Sequence, residues 1–275
     1  MYYSTQKITE RITCIRGAAG ERCWLAEGER GAALIDSTCG HAGLDQVVAG
    51  LTAKPVQVLM THGHRDHVGG AWAFGKAWLH PGDLPLVERA CGSARRAEFA
   101  RSRAPEGLQG ELTARRFPAG PVEWLPLGEG QVFDLGGLAL EVLEAPGHTA
   151  GSVCFWDRAG GTLFSGDICT RRTLMMLPES LSLEVLEGTL RRLQGILPQV
   201  EHHLIGHDPG TPGEGVLEQL LSCAADIRAG RDDHEPYASV SGTGWLSRRT
   251  CDPLQQLRAD GKYGNIVYRS EMRGE

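Results

Sequence analysis

The chain contains no apolar run approaching the roughly 18 residues that a membrane helix needs. Its opening segment, MYYSTQKITERIT, lacks the apolar stretch of a secretory leader. A membrane partner is therefore not expected, and the expected location is cytoplasmic. CxxC pairs are missing too. The eight cysteines, Cys14, Cys23, Cys39, Cys91, Cys154, Cys169, Cys223 and Cys251, are scattered along the chain. That spacing is not a disulfide framework and fits a reducing compartment. Each reads as a small buried apolar residue, with Cys39 and Cys169 set apart because they closely follow Asp36 and Asp167. A basic excess is also lacking: the formal net charge is -6, so no nucleic-acid partner is expected. Without tandem repeats, low-complexity segments or linkers, one domain is expected over 1–275, with a core near 8–230 and a polar tail over 231–275.

What is present begins with ordinary globular composition, 41% hydrophobic and 23% charged. Ile8 to Ile15, Cys23 to Glu27 and Ala32 to Ile35 read as strands punctuated by glycine. Leu44, Val47, Val48 and Leu51 recur at helical spacing, which predicts a helix near 42–52. Val56 to Met60 is a continuous apolar run, the pattern of a strand buried on both faces. A short helix (Ala71 to Lys76) and a short strand (Trp78 to His80) follow. Residues 83–116 are polar, Arg-rich and partly helical, and read as an inserted cap. Strand patterns resume at Val122 to Leu127, Gln131 to Leu135, Leu138 to Glu144, Ser152 to Trp156 and Thr162 to Ser165. Leu183, Leu186, Leu190 and Leu193 mark a helix over 182–196, His203 to Ile205 a strand, and 213–229 a last helix. The tail reads as turn-rich until a strand at Asn265 to Tyr268. Strands in two batches, each with helices, predict a layered α/β fold with two central sheets.

The chemistry concentrates in His62-Gly63-His64-Arg65-Asp66-His67. Neutral imidazole and carboxylate suit zinc, and manganese or iron as well. In an extended segment residues two apart face the same side, so His62 and His64 converge on one ion while Gly63 permits tight backbone packing. Asp66 and His67 lie past a turn and suit a second ion. His148 (in PGHTAGS), Asp167 (in SGD) and His207 (in IGH) each sit at a strand end, where a rigid scaffold holds a site. A structural zinc would use cysteine and be closed; a His and Asp set at strand ends reads as open and catalytic.

THGHRDHVGG, PGHTAGS, SGD and a late GH, in this order over about residues 30–210, resemble the metallo-β-lactamase superfamily. The resemblance implies a four-layer αββα sandwich with the metals at one edge. It implies that His62, His64 and His148 bind a first metal, that Asp66, His67 and His207 bind a second, and that Asp167 bridges them. Asp36 matches an early Asp that supports the ligands from behind. Two divalent ions, zinc first and manganese or iron as alternatives, lower the pKa of a shared water to about 7. The hydroxide then attacks a thioester, ester or lactone carbonyl of a small-molecule substrate, with Asp66 as proton acceptor.

The full ligand set is similar to that of glyoxalase-II-like thioesterases. The zinc β-lactamases do not carry Asp at the bridging position, and lactonases carry a Tyr shortly after it, where Ile168, Cys169 and Thr170 stand here. The alternatives are a phosphodiesterase or β-lactamase-like hydrolase, a mono-iron persulfide dioxygenase, and a non-catalytic metal scaffold. Charge-rich helices ordinarily present a solvated face, and Glu88, Glu98, Glu106 and Glu111 partly balance the cap. The alternative is that cap arginines, with Arg171 and Arg172, hold an anionic part of the substrate, which their planar forks suit. His41, His80, His202, His203 and His234 lack ligand spacing, and Trp72, Trp78, Trp124 and Trp156 read as core. The tail is expected to line either the pocket or a homodimer interface.

Overall fold

The computed structural model describes residues 1–274 apart from Asp208 and Leu254. Seven strands form a first sheet, paired in chain order: β1 (Tyr3–Lys7), β2 (Ile12–Gly17), β3 (Arg22–Glu27), β4 (Ala32–Ile35), β5 (Val56–Leu59), β6 (Lys76–Leu79) and β7 (Glu123–Pro126). Pairing is antiparallel up to β4 and parallel from there to β7. The second sheet takes β8 (Val132–Asp134), β9 (Ala139–Glu144), β10 (Val153–Asp157) and β11 (Thr162–Phe164). The chain then leaves it for β12 (Arg172–Leu174) and returns with β13 (His202–Leu204), which lies parallel to β11 at the sheet edge.

Period-two alternation sorts these strands into layers. Cys23 and Leu25 of β3 face a core shared with Leu44 and Val48 of α1 (Leu44–Leu51). Trp24 and Ala26 face the opposite way, against Val142, Phe155 and Phe164 of the second sheet. On the far side, Cys154 and Trp156 pack against two further helices. The intervening helices are α2 (Arg65–Val68), α3 (Leu84–Ala90), α4 (Ser93–Arg103) and α5 (Glu106–Gln109). The far-side pair are α6 (Leu183–Ile196) and α7 (Val216–Arg228). Ser182 caps α6 by accepting the Val185 N–H. Leu186 and Leu190 of α6 are fully buried, each stabilising by about 1.5–3 kcal/mol. The result is helix, sheet, sheet, helix: the αββα sandwich.

The 83–116 segment is a helical cap, comprising α3, α4, α5 and a 3-10 turn at Ala114–Arg116. One of its arginines is no surface group. Arg96, 1% exposed, donates to the carbonyls of Cys39, Gly69, Cys91, Phe117 and Pro118 at 2.6–3.1 Å. It clamps α4 onto the loop after β4 and the turn after α2. Its partners are all carbonyls, so it neutralises no carboxylate, and its worth lies in satisfying acceptors that would otherwise be buried bare.

Several boundaries differ from the sequence reading, each for a physical reason. The run Ile8 to Ile15 is broken by a turn, and β2 starts at Ile12. An edge strand, β1, precedes it, with four of its five residues exposed, so no apolar alternation announced it. Ala71–Ala73 forms only a 3-10 turn, and Lys76 already belongs to β6. The tail ends in the expected strand, β18 (Asn265–Tyr268), but holds more structure before it than its polarity suggested: β14 (Glu235–Ser239), β15 (Gly242–Leu246) and the short pair β16 (Thr250–Asp252) and β17 (Leu257–Arg258). β12, β18, β15 and β14 make a small third sheet beside the sandwich.

Replacing Arg96 by Met leaves a ring of buried carbonyls unpaired, each costing about 1–3 kcal/mol. Chemical denaturation is expected to show a loss of at least about 3 kcal/mol; a loss below about 1 kcal/mol would mean that water satisfies these groups instead.

Candidate metal centre

β5 delivers the chain into Thr61 and the His62–His67 segment, and α2 starts at Arg65, so Asp66 and His67 sit on its first turn. His148 lies in the turn between β9 and β10, Asp167 just after β11, and His207 just after β13. Four strand ends on two sheets thus point at one edge of the sandwich. There the structure brings together three groups of side chains: His62, His64 and His148; His62, His67 and Asp167; and Asp66, His67 and His207, with the ligand atoms of each group within 4.8 Å of one another.

The hydrogen bonds behind these rings decide which nitrogen faces inward. His148 Nδ1 is 2.7 Å from the Leu174 carbonyl, which only accepts, so Nδ1 carries the proton and Nε2 is bare. His64 Nε2 is 2.7 Å from Glu179 Oε1. The hydrogen bond with His64 holds the Glu179 carboxyl low, at about 2, so His64 Nε2 donates and its Nδ1 is bare. His67 Nδ1 meets Asp36 Oδ2 at 2.8 Å, leaving Nε2 bare and without a hydrogen-bond partner. Thr61 donates its hydroxyl to Asp36 and so accepts from His62 Nδ1 at 3.1 Å.

Three lone pairs therefore converge. His62 Nε2 and His148 Nε2 lie 2.9 and 3.0 Å from His64 Nδ1. Neutral imidazoles so arranged oppose acceptor to acceptor, which a cation between them resolves. The second group is of another kind: its imidazoles stand against carboxylates, which draw positive charge to the site. His207 Nε2 is 3.2 Å from both Asp66 Oδ2 and Asp167 Oδ2, and His67 Nε2 is 3.5 Å from the same Asp167 oxygen. Asp167 Oδ1 is buried without a partner. Burial alone would raise Asp167, but the neighbouring His207 and His67 hold its carboxyl well below the usual range. The donor set and its orphaned atoms fit divalent ions, and Asp167 stands between the two groups.

The other expected residues separate cleanly. Asp36, 1% exposed, accepts from the Thr61 N–H at 2.8 Å as well as from His67. It occupies a left-handed backbone at φ 62°, a strain of order 1–3 kcal/mol held by these bonds. Arg171 and Arg172 both line the cavity above the cluster. Arg171 stacks 3.9 Å over Tyr263, and Arg172 lies 5.4 Å over Tyr237. Cys39 and Cys169 are buried, and burial pushes both thiols up, so neither is poised as a nucleophile. Among the described residues the eight cysteines form no disulfide. His41 stacks on Tyr2, His203 meets Ser165, and His234 stacks on Trp245. Trp156 is core at 2% exposure, and none of the tryptophans lines the cavity.

The sequence reading missed Glu179 and Asp83, and it left the tail between the pocket and a homodimer interface; the structure puts part of the tail on the pocket wall. Glu179 lies more than a hundred residues from His64, in a loop without a motif. The cavity holds about 750 Å³ and opens over His64, Asp66, His148, Asp167 and His207. Its walls come from the cap (Leu86, Arg89, Arg95, Phe99, Arg103) and from the tail (Tyr237, Ser239, Val240, Ser241, Gln256).

Comparison with known proteins agrees with this architecture. A sequence model of the metallo-beta-lactamase superfamily matches residues 16–203. The chain belongs to that superfamily and is an enzyme of its hydrolase class. Among its relatives is the acyl-coenzyme A thioesterase MBLAC2 of Bos taurus, 29% identical over 200 residues, covering 67% of this chain and 71% of that protein. The hydroxyacylglutathione hydrolase GloC of Haemophilus influenzae is 32% identical over 142 residues, 52% of this chain and 63% of that one. Among solved structures, a metallo-beta-lactamase from Pontibacter korlensis aligns with a TM-score of 0.59 at 18% identity, covering 80% of this chain and 97% of the other. TTHA1623, in a di-iron-bound form, aligns with a TM-score of 0.50 at 27% identity, covering 77% and 94%.

Asp167→Ala removes the carboxylate that stands between the two groups. Elemental analysis of the purified variant is expected to show at least one metal equivalent lost; two retained equivalents with full turnover would remove Asp167 from the bridge.

Proposed function

We propose that this protein is a dinuclear metal-dependent thioesterase whose substrate carries a polyanionic leaving thiol, with acyl-coenzyme A as the leading candidate. His62, His64 and His148 are assigned to one ion, Asp66, His67 and His207 to the other, and Asp167 to both. Two divalent ions held there, zinc in first place with manganese or iron as alternatives, would bring a shared water to a pKa of about 7 and polarise the scissile carbonyl. Asp66, at the His207 ring, is placed to take the proton of the attacking water. Glu179 and Asp36 hold their imidazoles in the tautomers that present lone pairs inward.

The observation that carries the choice of substrate is the charge of the cavity. Arg65, Arg89, Arg95, Arg103, Arg171 and Arg172 line it, and among the described residues none of the six makes an ion pair with a carboxylate. The acids that line it, Asp66, Asp167 and Glu179, are all engaged by histidines. In a chain of net charge -6, this concentrates positive potential at one mouth and draws anions to it. Phosphate groups answer that lining at every position. A peptide thiol brings an ammonium group that finds no free acid there. Leu86, Phe99, Leu174, Leu177 and Val240 supply apolar wall for an acyl group. The thioesterase names of MBLAC2 and GloC support the reaction class. The lack of disulfides among the described residues supports a cytoplasmic location, and among the same residues no helix is long and apolar enough to cross a membrane.

Metal content is the first measurement. About two ions per chain is the expected result for this chemistry, while one iron per chain would redirect the search to persulfide or oxygen chemistry. Turnover of acyl-coenzyme A, an acyl-glutathione and a neutral acyl thioester of matched chain length is then compared. Arg171→Ala and Arg172→Ala are each expected to raise KM for the coenzyme A ester about tenfold, roughly 1.4 kcal/mol. The neutral ester should be hardly affected. Unchanged kinetics in both variants would sink the anionic-substrate reading.

A further inference from the structure

Asp83 stands at the N-cap position of α3, where an aspartate ordinarily accepts from the helix's own first N–H groups. Here it makes no such bond. Its carboxylate is 2% exposed and is turned toward the metal centre's supporting loops. Oδ2 accepts the Gly63 N–H at 2.7 Å and the Thr149 hydroxyl at 2.7 Å, and Oδ1 accepts the Gly151 N–H at 2.8 Å. Gly63 lies between His62 and His64. Thr149 and Gly151 follow His148 directly. One carboxylate thus ties the loop from the first sheet to the loop from the second, and it does so beside all three histidines of one cluster, whereas Asp66 and His67 follow on α2, three and four residues past Gly63, and His207 lies on a third loop.

The close approach is built into the backbone. A Cβ on Gly63 would stand 2.9 Å from both the Cβ and the carbonyl oxygen of Asp83, and a Cβ on Gly151 2.8 Å from its carboxyl carbon. Two glycines on two loops therefore make room for the same residue. Apart from Asp83, the described hydrogen bonds include a backbone link from Val153 to the Thr61 carbonyl at 2.8 Å, between the strand that follows the His148 loop and the residue before His62.

We infer that Asp83 is a positioning residue that sets the spacing of the His62, His64 and His148 cluster by cross-linking its two loops, and so controls the affinity of that ion selectively. The inference rests on the two-metal reading above. Its mechanism is geometric: ligands on two separate sheets need a common reference to hold three nitrogens on one ion, and supporting partners of this kind are worth 10–100-fold in metal affinity. An amide in place of the carboxylate would turn an NH2 group toward one of the three donors and break the link on that side.

The test is zinc affinity by chelator competition, in two backgrounds that each keep one cluster. In His207→Ala, where the His62, His64 and His148 cluster stays whole, adding Asp83→Asn is expected to weaken the remaining zinc 10–100-fold. In His148→Ala, where the Asp66, His67 and His207 cluster stays whole, the same change should alter zinc affinity less than about threefold, because the Asp83 carboxylate bonds neither α2, which holds Asp66 and His67, nor the His207 loop. Equal weakening in both backgrounds would mean a general structural role and would overturn the inference, as would no weakening in either. If Asp83→Asn does not fold, Thr149→Val and Thr149→Ser in the His207→Ala background take its place. The valine is expected to weaken zinc several-fold and the serine to restore it, and equal affinities would overturn the inference. If the wild-type chain takes up no zinc, manganese or iron, the two-metal reading fails and this inference falls with it. If the wild type binds two ions and Asp83→Asn leaves both untouched, only the role of Asp83 fails.

Discussion

The buried Asp36 carboxylate is the interaction on which the centre depends. It receives His67 directly and His62 through the Thr61 hydroxyl, and so orients one ring from each pair of ligands. The same group accepts a backbone N–H at Thr61, locking the strand end that carries the His motif. A neutral hydrogen-bonding residue of the same shape would satisfy the backbone yet leave the tautomers undetermined. The backbone strain at this position, φ 62°, is offset by those three contacts.

Around that point the molecule divides its labour by layer. The apolar layers on either side of the two sheets give rigidity, and strand ends at one edge carry the ligands. The cap and the tail contribute no ligands. They contribute walls, and the cap is anchored by the Arg96 clamp rather than by apolar packing alone. Because the arginines of the mouth have no carboxylate partners among the described residues, their charge faces whatever enters the cavity. An acidic protein thereby carries a basic entrance, and long-range repulsion of anions by the net charge is reversed locally.

Much of this was legible in the residues. The core strands followed from apolar runs and alternation, because burial on a sheet imposes period two. The candidate donors stood out by residue type at strand ends, and the structure gathers these side chains at a single edge. β1 and the strands β14 to β17 were illegible, because their largely exposed or half-buried residues give no apolar alternation, whereas the buried run of β18 was read at its observed bounds. Asp83 and Glu179 were illegible for another reason. Each reads as an ordinary surface acid, Asp83 even as a helix cap, and only the approach of a remote loop gives it a role.

The sequence by itself determined the fold class and the chemistry of the donor set, since periodicity and residue type are local properties and need no partner to be read. Tertiary structure alone decided which imidazole nitrogens face inward, which carboxylate ties the two sheets together, and that arginines from cap and loop share one cavity. Those are relations between segments that can lie more than a hundred residues apart, and their energies exist only once the layers have packed and excluded water.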